Sequence, residues 1–264
     1  LQSGAIVSET KLPFLESVFV GVGQTINIDP ATGDLFLSGR DPVDQLHHVY
    51  RYSPKTHQIT YITKIGDIDV MGGSSEYDPI AKMLWLTYAT NDTATRGKNK
   101  QSKPISTRQA LKDKLKYGHT NMEIDLFGIN VNTGAIVHQI KNTLYMESMN
   151  YDPVTGLIFG IGLQVYSSTN FTRILVSLNS KTGETKVVAQ IPGYFIIDGS
   201  IGAFNVKQRL LYAILQPKEP EDAPFELVGI NVNTGKVVTH PQVNLQEEAL
   251  APWSLHYSAV AIRK

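Results

Sequence analysis

The chain has 264 residues, 42% hydrophobic and 18% charged, and its 24 Lys and Arg balance 24 Asp and Glu. Such a chain can bury one large core, while zero net charge gives the molecule as a whole no pull towards nucleic acid or an anionic membrane. With no cysteine, disulfides, a thiol nucleophile and cysteine-ligated metal or iron–sulfur centres are excluded, and no apolar run reaches the roughly eighteen residues of a transmembrane helix.

The chain starts at Leu1 without a signal-like apolar stretch, and the missing initiator Met points to a processed or a trimmed chain. Ser3-Gly4-Ala5-Ile6-Val7 reads like Thr133-Gly134-Ala135-Ile136-Val137, the start of an outermost strand. A first unit spans about 13–65. Its inner strand, Thr25-Ile26-Asn27, enters the turn Ile28-Asp29-Pro30-Ala31-Thr32-Gly33-Asp34-Leu35-Phe36. A long connection at about 39–48 holds His47 and His48, and a second turn follows at Tyr52-Ser53-Pro54-Lys55-Thr56-His57. An adjacent histidine pair without a carboxylate at fixed spacing reads as surface rather than as a ligand set.

The second unit, 66–141, repeats this order with Ser74-Ser75-Glu76, the turn Tyr77-Asp78-Pro79-Ile80-Ala81-Lys82-Met83-Leu84-Trp85, a connection at 88–122 and the turn Asn130-Val131-Asn132-Thr133-Gly134. That connection is a basic island, with Arg96, Lys98, Lys100, Lys103, Arg108, Lys112, Lys114 and Lys116 against Asp92 and Asp113. Ser106-Thr107 can cap a short helix over 108–116 in which Leu111 and Leu115 share one side. The island could meet an anionic partner, or it could be a solvated insertion docked by its two leucines. Asn91-Asp92-Thr93, at its start, fits the N-glycosylation rule, as does Asn170-Phe171-Thr172 in the third unit; both point to secretion into an extracellular or lumenal space.

The third unit, 142–192, carries Ser148-Met149-Asn150, the turn Tyr151-Asp152-Pro153-Val154-Thr155-Gly156-Leu157-Ile158-Phe159, a connection at 163–172 and Asn179-Ser180-Lys181-Thr182-Gly183. The fourth, 193–243, carries Ile201-Gly202-Ala203, the turn Phe204-Asn205-Val206-Lys207-Gln208-Arg209-Leu210-Leu211-Tyr212, a connection at 216–224 and Asn231-Val232-Asn233-Thr234-Gly235. A fifth begins near Gln246 with Ala251-Pro252-Trp253-Ser254-Leu255-His256-Tyr257 and stops short, so residues 1–12 would complete it. Four strands and two alternating tight turns per unit give an all-β chain, read as a single β-propeller domain of four-stranded antiparallel blades. Five blades are expected, or six if the chain is incomplete, with a short basic helical insertion in the second.

In such blades both tight turns lie on one face and the long connections on the other, which makes the long-loop face the expected place of binding. Alternate residues of the inner strands would face the channel and gather Asn27, Glu76, Asn150 and His256 with Thr25, Ser74, Ser148 and Ser254. Such a ring could hold a hard cation on oxygen ligands or simply fill with water. Glu16, Asp69, Glu147, Asp198 and Glu248 stand where the chain enters the inner strands and could bind calcium, do acid–base work or cap loops. There is no phosphate-cradling Gly-Lys-Ser/Thr loop, no H-E-x-x-H and no Gly-x-Ser-x-Gly elbow, and Gly21-Val22-Gly23 lacks the third glycine of a dinucleotide fingerprint.

The Asp-Pro-x-Thr-Gly-x-Leu turns, each leading into a hydrophobic strand, resemble the β-propeller repeats of the YWTD, NHL and SMP-30/paraoxonase-like group; Leu84-Trp85-Leu86-Thr87 partly echoes the Tyr-Trp-Thr-Asp signature. The resemblance implies a propeller, and from its SMP-30-like members a channel calcium on acidic and amide side chains, for which Glu76, Asn27 and Asn150 are matching types, while Glu147 and Asp198 match the expected placement among loops. The leading expectation is a binding propeller, without catalysis, that engages a glycan or protein partner, anionic if the island is the contact. The alternatives are a calcium-dependent lactonase or esterase and a structural module of a larger assembly.

Overall fold

A computed structural model describes residues 26–41, 43–44, 46–66, 73–90, 123–141, 143–144, 146–165, 171–195, 202–219 and 226–239. They form antiparallel sheets in chain order. The first holds β1 (Ile26–Ile28), β2 (Leu35–Arg40), β3 (His47–Ser53) and β4 (Gln58–Gly66). The second holds β5 (Gly73–Asp78), β6 (Met83–Thr90), β7 (Glu123–Asn130) and β8 (Ile136–Ile140), and the third β9 (Glu147–Asp152), β10 (Leu157–Val165), β11 (Phe171–Asn179) and β12 (Thr185–Ile191). In the last, β13 (Tyr194–Phe195) and β14 (Gly202–Asn205) pair with opposite ends of β15 (Leu210–Pro217), followed by β16 (Glu226–Asn231) and β17 (Val237–Thr239).

Each sheet is a meander, and the innermost strands lie side by side, β1 against β5, β5 against β9 and β9 against β14. Strands fanned in this way about one axis are blades of a β-propeller. Four blades are described; the expected fifth (246–264 with 1–12) and the helix expected over 108–116 lie outside the described residues.

The blades adhere because each strand alternates its side chains between the preceding and the following blade. Paired residues share a face, so the register sorts them. Phe36 and Val49 of the first blade meet Tyr77, Leu84, Leu86, Phe127 and Ile129 of the second, with the Phe36 and Tyr77 rings 4.6 Å apart. Met83, Trp85 and Leu126 on the second blade's other face meet Met149, Ile158, Ile174 and Val176 of the third. Phe159, Ile161 and Leu175 then meet Leu211, Ala213, Val228 and Ile230 of the fourth. At about 1.5–3 kcal/mol per fully buried large side chain, these seams hold the fold together.

The turns explain themselves from sequence. Asp29 accepts the Ala31 N–H, Asp78 those of Ile80 and Ala81, and Asp152 that of Val154, so each carboxylate caps its own turn. Asn130, Asn179 and Asn231 do the same in the second turns. The fifth position of each turn has positive φ: Gly33, Lys82, Gly156 and Arg209 in the first type, His57, Gly134, Gly183 and Gly235 in the second.

Two expectations are corrected. Strands extend into two of the connections thought long, leaving 41–46 between β2 and β3 and 166–170 between β10 and β11, whereas 218–225 between β15 and β16 stays near its expected bounds and 91–122 separates β6 from β7. His47 and His48 accordingly belong to β3 and are buried, 8% and 9% exposed, rather than at the surface of a loop.

Candidate functional site

The expected channel residues that are described stand on the inner strands, and several of them bond across the seams. Asn27 is 7% exposed and donates from Nδ2 to Ser75 Oγ on the second blade, 2.6 Å away. Ser74 Oγ accepts the Met149 N–H of the third blade at 3.1 Å, and Thr87 donates to Met146 O at 3.0 Å. Asn150 donates to Ser148 O at 2.7 Å and packs against Gly202, where an added Cβ would lie 2.7 Å from its amide nitrogen.

Glu76 is the acid of this group. It shares the second blade's forward face with Trp85, and its carboxylate accepts the N–H groups of Tyr151, on the next blade, and of Tyr77. Part of the side chain is accessible, yet protein surrounds the carboxyl, and desolvation outweighs both hydrogen bonds and pushes its pKa up to about 8. Near neutral pH the carboxyl therefore holds its proton far more readily than an ordinary glutamate does. Among the described residues no group of three or more His, Asp or Glu is arranged to hold a metal. The Glu147 side chain, Asp198, His256, the island from Arg96 to Lys116, Asn91 and Asn170 lie outside the described residues.

The turn aspartates form a constellation that reasoning from the sequence missed. Asp29 of blade one accepts from the Tyr77 hydroxyl of blade two at 3.3 Å and pairs with Lys82 at 3.6 Å. Asp78 of blade two accepts from Ser180 of blade three at 2.5 Å and bonds Tyr151. Asp152 of blade three accepts from Arg209 Nη1 of blade four at 2.6 Å. Burial pushes the Asp29 and Asp152 carboxyls up, but these partners and the turn N–H groups outweigh it and hold both below the usual carboxylate range. Lys82 and Arg209 occupy the positive-φ place that is glycine in the other two first turns, and that substitution of cation for glycine was the available sequence signal.

On the opposite face, the β2–β3 connection carries a second polar network. Asp41 accepts the Val43 and Asp44 N–H groups and the Tyr50 hydroxyl, the last at 3.2 Å. His48 sits between Tyr50 Oη, 3.2 Å from its Nδ1, and Asp44 Oδ2, 3.1 Å from its Nε2, while Lys64 stands 3.7 Å from the same Asp44 oxygen. Burial, reinforced by Asp41, pushes the Tyr50 hydroxyl up to about 12, and backbone N–H groups foremost hold Asp41 and Asp44 low. Tyr61 closes edge-on against His48 at 5.5 Å. Every hydrogen-bonding group named here has a partner inside the loop or strand, which makes the network a brace for a short connection.

No family model matches the chain, and no curated protein matches it. Among solved structures it is similar to TolB from Acinetobacter baumannii (10% identity over 83% of this chain and 43% of that one, TM-score 0.49). It is similar also to a chain of a nidogen/laminin complex (10%, 84% and 80%, 0.43) and to the β-propeller domain of the trilobed protease from Pyrococcus furiosus (9%, 81% and 56%, 0.47). This chain thus spans less than half the length of the TolB chain. The propeller assignment rests on the strand order and the seams described above.

Proposed function

We propose that the chain is a non-enzymatic binding propeller of an extracellular or lumenal space, which engages an anionic glycan or protein through the face opposite the tight turns. The observation that carries this is the asymmetry of the connections. The turns between first and second and between third and fourth strands are satisfied by their own side chains. On the other face, the insertion at 91–122 alone exceeds eight residues among connections between described strands of one blade, and eight of its residues are Lys or Arg. A rigid scaffold that presents one long, charged connection is a common arrangement for recognition. On the described inner strands the Asn27 amide nitrogen, the Ser74 hydroxyl and the Glu76 carboxyl already bond across seams, which supports a scaffold role for them.

The test is retention of the full chain on immobilised heparin, as a sulfated-glycan probe, and on an Asp/Glu-rich peptide, across a salt series. Replacing Lys112, Lys114 and Lys116 together with Ser should weaken binding to one of the two by about tenfold, at roughly 0.5 kcal/mol per rim charge, and flatten its salt dependence. Unchanged binding and slope on both would refute the reading.

A further inference from the structure

Three seams are built from the same parts, and one blade face lacks its counterpart among the described residues. In blades two, three and four the residue before the first-turn Asp or Asn is Tyr77, Tyr151 and Phe204. Tyr77 is 3% exposed and donates back to the aspartate of the preceding blade. In blade one that place is Ile28, 61% exposed, and two residues earlier Ile26 is 52% exposed, whereas the corresponding Ser75 and Met149 are fully buried. Nothing among the described residues seals this inner strand.

At the other end of the fan, blade four turns Asn205, Tyr212 and Leu227, all partly buried, away from the third seam. If blade four closed directly on blade one, Asn205 would face Ile28 and Gly33, which offer neither the phenol nor the cation that the other first-turn acids receive. A further strand belongs between them. Ala251-Pro252-Trp253-Ser254-Leu255-His256-Tyr257 has the required pattern, with Tyr257 in the place of Tyr77 and Tyr151 and Ser254 in that of Ser74 and Ser148.

We propose that residues 251–257 dock as an inner strand between blade four and blade one, with Tyr257 donating to Asn205 and the strand lying over Ile26 and Ile28. The second turns show where a preceding blade packs in the described seams. A Cβ on Gly134, Gly183 or Gly235 would lie 2.3 Å from Ile62 O, 2.2 Å from Ile140 Cδ1 or 1.9 Å from Ala189 Cβ, all on the preceding blade's outer strand or just beside it. Blade one has the exposed His57 in that place.

The chain's two tryptophans make the test direct, since Trp85 is fully buried and the other is Trp253. Subtracting the emission of Trp253→Phe from that of the unchanged protein isolates Trp253. Its emission should be blue-shifted and protected from acrylamide. Ile28→Asp should shift it red and raise quenching several-fold while the Trp85 emission stays, and Ile28→Thr, which suits a strand, should do so in part. Tyr257→Phe and Asn205→Ala should each lower the melting temperature by about 2–4 °C, and together by less than their sum. A solvent-exposed Trp253 indifferent to both Ile28 variants overturns the proposal. So does a protected Trp253 whose protection vanishes on dilution as the mass halves, because a second copy then covers the face.

Discussion

Glu76 concentrates the residue-scale chemistry of the inner strands. Its folded-state pKa, about 8, lies above the ordinary glutamate value, so the folded protein holds a proton that the unfolded chain releases. The stability tied to that proton is complete below the ordinary value and is lost as pH rises towards about 8, at up to about 1.4 kcal/mol per pH unit for one fully coupled proton. Glu76→Gln keeps the acceptor for the Tyr77 and Tyr151 N–H groups and removes the titration. The variant should melt higher than the parent at pH 8, while the two converge near pH 4; identical melting curves at both values would show that the carboxyl is well solvated. The sequence named Glu76 as an inner-strand acid. It could not report that the carboxyl leans into a seam, because desolvation is a property of the neighbouring blade.

The element scale is set by the positive-φ place in each turn. Gly33 has φ +79, and a Cβ added there would meet nothing within 4 Å, so Gly33→Ala carries the backbone cost alone, roughly 1–2 kcal/mol. Gly235 has φ +70 and would set its Cβ against Ala189, so Gly235→Ala carries the same cost and must also force blades three and four apart. Urea unfolding should therefore show a loss for Gly235→Ala at least twice that for Gly33→Ala; equal losses would mean that the seam yields freely. The Asp-Pro and Asn-x-x-Thr-Gly spacings make these turns, and the four-strand unit they delimit, legible in the amino-acid sequence. Hidden were the ends of the strands: β2, β3, β10 and β11 run on into segments whose mixed composition reads as loop, because a ladder partner overrides weak local preference. His47 and His48 were misplaced for that reason.

At the scale of the molecule, the seams make neighbouring blades depend on one another through buried carboxylates. Asp29 and Asp152 are held below the usual range by groups that include Lys82 and Arg209 of the next blade. Their contribution is fully present above the unfolded-chain value, about 3.9, and is lost as pH falls through the lower folded values. Melting temperature should thus drop steeply below about pH 4. Arg209→Ala should lower it at pH 6 and make the acid limb shallower, whereas an unchanged limb would assign acid sensitivity to groups outside the third seam.

What the sequence determined by itself is the class and the repeat: alternating apolar strands between two turn types, each written in residues whose φ values and self-capping side chains need no distant partner. Only the tertiary structure decided where polar atoms of the inner strands point, which turn positions reach across a seam, and that the first-turn aspartates serve the following blade as well as their own turn. Those outcomes depend on residues tens of positions apart meeting at one interface, as Asp152 meets Arg209, and local spacing carries no record of that meeting.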